Sequence, residues 1–368
     1  MTRPPASPDP AQGPIRGFAL ITLVGAAMLL LTACGGGDND TAAAPSRSDI
    51  LAASPVDVQE AAARAATHRP HLGSVTQSSN ATSGVTSETA AARFDGRGTQ
   101  VTITRTGGST LDLDSTTDRI GDAEILDSPL PGTTYHGERL LRTDANGTTL
   151  ALVFTNWNDS DPTDYLAGGT WLHTDLAAAG GALTRAEVGA FVDGPELDTA
   201  PTLPDAGTAR YQGRGAGLYA YAGSSRLPDQ AGELRGNVDL TADFATRTLT
   251  GCLGCRDRVE IEGVTGDGRS FRDTVPMRMR LAATPFDATT GRFAGQDVTV
   301  EHDEIPITDS SGSWGGQVSS REVPVPGVDS PLIIVGTAGG EWTDVTGGQG
   351  ALVGAWWGQW SPPQPPAP

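Results

Sequence analysis

Apolar and polar residues alternate one by one through much of the second half of the chain. In ELRGNVDLTADF (233–244), Leu234, Val238, Leu240, Ala242 and Phe244 fall on one side. Met277, Met279 and Leu281 alternate with Arg278 and Arg280, and Val298 and Val300 repeat the pattern. A period of two with one apolar and one wet face predicts antiparallel strands. About eight such segments between 208 and 360 suit a closed barrel better than an open sheet with bare edges.

Upstream the strand candidates are shorter: TQVTITR (99–105), then 111–113, 150–154, 165–172 and 188–191, parted by Asp, Gly, Asn and Pro turns. They predict a small β domain over 89–196, a linker (LDTAPTLPDAG) over 197–207, the larger β domain over 208–360 and a Pro-rich tail over 361–368.

The N-terminus follows another pattern. FALITLVGAAMLLLTA (18–33) is an almost unbroken apolar run of 16 residues, preceded by Arg3 and Arg16. A spanning helix needs about 20, so the layout fits an export signal, with a short membrane anchor as the other reading. Leu31-Thr32-Ala33-Cys34 resembles the bacterial lipoprotein lipobox. That resemblance implies removal of residues 1–33 and lipidation of Cys34 as the first mature residue, with enough acyl chains to hold the outer-membrane lipid. Gly35 after the cysteine resembles the pattern passed on to the outer membrane. Residues 34–88 are poor in large apolar side chains and read as a flexible tether, with 56–66 as one short helix candidate.

Composition narrows the partners. The formal charge is -19 and all 25 basic residues are arginine, so nucleic acid and anionic lipid surfaces are repelled. With 48 glycines, 26 prolines and 5% aromatics, the chain suits short strands and frequent turns.

With Cys34 lipidated, Cys252 and Cys255 in GCLGC are left to each other. A CxxC serves as a disulfide, a redox pair or half a metal site. The strand-like sequence around it lacks the helix a redox pair uses, and no second pair completes a zinc site. A structural disulfide is the expectation. Of the histidines, His68 and His71 lie around Pro70 and no acidic partner is suggestively spaced. His302, in VEHDEI, could form a cation site with Asp303 and Glu304, against the plainer reading of a solvated strand edge. Ser224, Ser225, Ser311 and Ser313 lack a nucleophile elbow, and the acidic turn 159–164 lacks EF-hand spacing. No catalytic residue, metal or cofactor is assigned, and the chain is read as a non-enzyme. Trp157, Trp171, Trp314 and Trp356 read as core, and Trp360 as the tryptophan most open to solvent.

Several segments, taken in order, resemble the transferrin-binding-protein-B-like surface lipoproteins. They are the opening ARYQGRGAGLY (209–219), LTADF (240–244) followed by TLTG (248–251), GRFAG (291–295), SWGGQV (313–318) and the closing GALVGAWWG (350–358). The resemblance implies an all-β fold: a small antiparallel handle domain, then an eight-stranded antiparallel β-barrel, behind a lipoprotein signal and tether. It also implies a cell-surface protein that binds a protein or a small, metal-bearing solute alongside a TonB-dependent receptor. The single handle and barrel and the absence of lysine point to the solute-binding-like members. A structural or adhesion lipoprotein without a diffusible ligand is the alternative, and an unrecognised hydrolase the third.

Overall fold

In the computed structural model the described residues are 76–79, 87–94, 98–104, 110–127, 134–144, 147–155, 166–176, 183–197, 199–222, 230–265, 269–295 and 297–362. The export signal, Cys34, His68, His71, Trp157, Ser224 and Ser225 lie outside them.

The described residues form three antiparallel sheets. The first holds β1 (Thr76–Ser79), β2 (Ser87–Phe94), β3 (Thr99–Thr104) and β4 (Thr110–Asp114) in chain order. The second holds β5 (Arg119–Asp127), β6 (Thr134–Asp144), β7 (Gly147–Thr155), β8 (Ala167–Leu176) and β9 (Leu183–Asp193), also in order. β1 and the start of β2 fall inside the stretch expected as tether. Their TQSS and SETAAARF sequences carry no apolar alternation to announce a strand.

A 3₁₀ turn at Pro195–Leu197 leads into the third sheet, of eleven strands. These are β10 (Thr208–Ala222), β11 (Gln230–Asp243), β12 (Thr248–Leu253), β13 (Val259–Thr265), β14 (Ser270–Val275), β15 (Met277–Pro285), β16 (Arg292–Gly295), β17 (Val298–His302), β18 (Ile307–Val318), β19 (Ile333–Asp344) and β20 (Gln349–Ser361). Its main path is β16-β18-β19-β20-β10-β11-β12-β15-β17, and the β13–β14 hairpin branches from β11. The expected alternation holds in β15, β17 and β11 from Val238 on, with Val238, Leu240, Met279, Leu281, Val298 and Val300 buried, whereas upstream in β11 Glu233 and Asn237 are buried along with Leu234.

Among the described residues no ladder joins the two ends of that path, so their pairing does not close a barrel. β17 meets β18 through one isolated bridge, Asp297↔Gly312, and through Val300 N–H donating to Ser310 Oγ at 3.2 Å. β18 also shifts register against β19 between Ile307 and Asp309. The sheet nevertheless curls until distant strands touch. A Cβ on Gly340 of β19 would stand 3.2 Å from Val300 and 3.4 Å from Met279.

The five-stranded sheet is the middle of three layers. One face, with Leu140, Ala151, Val153, Trp171 and Phe191, shares a core with Val101, Ile103, Leu111 and Leu113 of the four-stranded sheet. The other face, with Leu150, Phe154, Leu172 and Val192, belongs to the core of the large sheet. Covered on both sides, β7 is buried at every residue, which is why its apolar run LALVF does not alternate. β8 and β9 lie against β10, β19 and β20. That flank of the large sheet is buried both inside and out, and Trp356 and Trp357 are each fully buried although adjacent in sequence. The linker is drawn into the same core: Leu197 and Pro201 are buried, and Gln317 donates to the Leu197 carbonyl at 2.6 Å.

Candidate functional site

The inside of the curled sheet is occupied. Phe293, Trp314 and Trp356 form one cluster with ring centroids 5.2–6.2 Å apart. The indole N–H groups of Trp314 and Trp356 are buried donors with no acceptor among the described residues. Rings face glycines across the strands, as in Phe293↔Gly316, Gly336↔Trp356 and Trp342↔Gly350. A Cβ on Gly336 would fall 2.3 Å from the Trp356 ring. The inward glycines therefore make room for side chains of this chain, not for a ligand. Trp171, Trp314 and Trp356 are core as expected, but Trp360 is buried too, with Tyr211 as its neighbour in register.

The flank opposite the five-stranded sheet remains open. Along β11, β12, β15 and β17 the outward residues include Asp239, Thr241, Thr250, Arg280, Ala282 and Thr299, exposed or half-exposed. Here a trough of about 510 Å³ crosses the strands from Arg210 on β10 to Arg280 and Thr299. Its floor is made by a β-bulge. Leu249 pairs with Thr284 and Gly251 with Leu281, so Ala282 and Ala283 oppose the single residue Thr250. Bulges bend a strand and recur beside functional sites, and the small side chains at this one leave the space open.

Charges are unevenly committed around the trough. Arg210 is exposed and has no hydrogen bond or ion pair among the described residues. Arg280 uses Nε on Glu301 at 2.7 Å, and Arg278 takes the other oxygen of Glu301 at 2.6 Å. Those bonds, Arg280's first, hold the Glu301 carboxyl below its ordinary range. Asp239 accepts from Gln212 Nε2 at 2.9 Å and lies 3.9 Å from Arg256. The hydroxyls of Thr241, Thr250 and Thr299 have no protein partner among the described residues.

The cysteine pair borders this site. Cys252 stands in register between Asp239 and Arg280. Cys252 and Cys255 are at bonding distance, with Cα atoms 5.7 Å apart, which fits a disulfide. Between them Gly254 takes a positive φ of 75° and donates its N–H to the Asn237 carbonyl at 2.8 Å. The tight loop marks where β11 exchanges its partner β12 for β13, and it delivers Arg256 beside Asp239.

His302 forms no cation site with its neighbours. Asp303 pairs with Arg278 and Glu304 with Arg258. The ring is half-buried, and its Nδ1 accepts the backbone N–H groups of Glu304 at 3.2 Å and Ile305 at 3.1 Å. Burial pushes its pKa down, against the opposing pull of Glu304 and Asp303. His173 is fully buried, with Nδ1 2.8 Å from Thr149 Oγ1. Among the described residues no group of three or more His, Cys, Asp or Glu side chains could hold a metal ion.

Sequence reasoning named Cys252 and Cys255 as a site and set Arg280 on a wet strand face, but gave no site role to Arg210, Asp239 or Arg280. Arg210 and Asp239 could have been marked as outward as well, since Arg210 sits between Ala209 and Tyr211 and Asp239 between Val238 and Leu240. Their convergence depends on strand register, which the local pattern does not carry. Compared with known proteins, the chain matches no family model and no curated protein.

Proposed function

We propose that the chain is a lipid-anchored protein of the outer membrane that binds a protein or small solute, metal-bearing solutes included, as an accessory to a membrane transporter such as a TonB-dependent receptor. Cys34 is its anchor. In this reading β16 and β17 act as one interrupted strand, so that the main path of the large sheet, with the β13–β14 hairpin set aside, counts as an eight-stranded barrel and the two smaller sheets as its handle.

The carrying observation is the asymmetry of the large sheet. Its inside is filled by aromatic rings and one outer flank is covered, while the other presents a trough with an uncommitted arginine. A filled interior also suits the structural or adhesion alternative. The bulge and trough favour binding, because a scaffold has no need of either.

The test is retention by the full-length protein in detergent, incubated with spent culture medium and analysed by mass spectrometry for proteins, small molecules and metals. One species held in near-stoichiometric amount supports the reading. Retention no different from that on an unrelated lipoprotein would sink it. Palmitate labelling checks the anchor: the wild type is labelled and Cys34→Ala is not.

A further inference from the structure

We infer that the outward trough takes a solute bearing two or more negatively charged oxygens, carboxylate or phosphate, held between Arg210 and Arg280. This deepens the binding reading above and rests on it.

The argument begins with what the trough can offer. Stacking is absent, since its lining contains no aromatic ring. Flat rings and neutral sugars therefore have no face to lie on. It does offer guanidinium groups and hydroxyls, the donors that suit carboxylate and phosphate oxygens. Arg210 is the decisive residue, because its charge has no partner among the described residues to surrender when a ligand arrives. Arg280 is held by Nε alone, so its two terminal nitrogens remain available while Glu301 fixes the side chain. A guanidinium tethered at one edge is already oriented, which lowers the ordering cost of binding.

Spacing limits the ligand further. β10 and β15 are separated by β11 and β12, three strand intervals. Arg280 aligns through Cys252 and Asp239 with Gln212, two residues from Arg210, so strand spacings of about 4.8 Å and a rise of about 3.4 Å per residue put the two arginine backbones about 16 Å apart. A lone monovalent anion would engage one end only. A solute with anionic groups at both ends, or a compact multivalent anion drawn between the two side chains, engages both. Asp239 is the opposing charge in the lining, offset in part by Arg256 at 3.9 Å and held by Gln212. The trough volume of about 510 Å³ is within the range of small-molecule sites.

Isothermal titration of the full-length protein in detergent tests this, with citrate, inorganic tripolyphosphate and maltotriose as probes. At least one of the two anions should bind and maltotriose should not, and the preferred anion identifies the oxyanion chemistry. Arg210→Gln should weaken the anion about tenfold or more, as loss of a charged hydrogen bond predicts. Arg280→Gln should do likewise. Arg214→Gln, an exposed cation on β10 outside the lining, should leave binding unchanged. Arg210→Gln should also leave the melting temperature unchanged, since Arg210 has no bond among the described residues to lose. Silence from both anions, or equal loss in Arg210→Gln and Arg214→Gln, would overturn the assignment. Retention of a ligand from medium by both wild type and Arg210→Gln would overturn the trough while leaving the binding reading standing.

Discussion

The hydroxyl of Tyr221, near the end of β10, donates to Asp344 Oδ2 at 2.5 Å across 123 residues of sequence. The other oxygen of Asp344 accepts from Thr346 N–H, Thr346 Oγ1 and Gly348 N–H at 2.6–3.1 Å. One buried carboxylate thus ties the β19–β20 turn to the neighbouring strand. Burial alone would raise its pKa, but these bonds outweigh burial and hold it below the ordinary carboxylate value. The unfolded chain therefore takes up the proton first as the solution becomes acid. The stabilisation is complete above the ordinary value of about 3.9 and is lost as pH falls through the lower folded value. Urea unfolding at pH 7 and at pH 3 should show a larger acid loss for wild type than for Asp344→Asn. Tyr221→Phe should cost about 1–2 kcal/mol at neutral pH.

His302 predicts a second pH effect in a milder range. Its Nδ1 accepts two backbone N–H groups, so protonation of the folded ring must break both bonds. The charged groups around it are Glu304, Asp303 and Arg258, and its partner across the ladder is Met277. Since burial lowers the folded pKa, the unfolded state protonates first. Stability should be full above about pH 6.5 and decline below it. His302→Asn should flatten the decline between neutral pH and mild acid, as read by urea midpoints. An unchanged slope would show that the ring does not carry it.

The loop at the cysteine pair is doubly constrained. A Cβ on Gly254 would stand 2.5 Å from the Met277 carbonyl oxygen in a backbone conformation that disfavours any side chain. Gly254→Ala should destabilise by roughly 2 kcal/mol or more. Replacing both Cys252 and Cys255 by Ser should cost about 2 kcal/mol, the loop-closure value for so short a ring. Reductant should bring the wild type to the same denaturation midpoint as the double variant.

The pairing of rings with glycines is open to a direct comparison. Gly336→Ala forces a methyl group onto the Trp356 ring and should cost about 1–3 kcal/mol. Gly121→Ala is the control, since a Cβ there meets nothing within 4 Å. Its denaturation midpoint should stay close to wild type.

Legibility in the sequence followed distance along the chain. The inward sets of β15, β17 and β11 from Val238 on could be read residue by residue, because one wet face makes the period of two visible. β7 was found as an apolar run, yet its two covering layers come from residues 101–113 and from the large sheet, which no local window joins. β1 could not be seen, since its polar sequence looks like the tether around it. The ring of Trp360 was expected in solvent because a proline tail follows it, and is instead part of the core beside Tyr211. His302 was expected at a wet edge, but its position in register with Met277 turns it inward. The trough residues were visible one at a time, and only their meeting was hidden.

In the large sheet every tryptophan and tyrosine among the described residues is buried, and of its phenylalanines only Phe271 is half-open. The sheet has drawn its rings inward to stand over glycines, and this has a consequence for whatever it recognises. A surface without rings has charge, hydroxyls and shape as its vocabulary, and contacts between exposed charges weaken as ions screen them. The surrounding salt would then act as a dial on occupancy, filling the trough in dilute water and emptying it in brine.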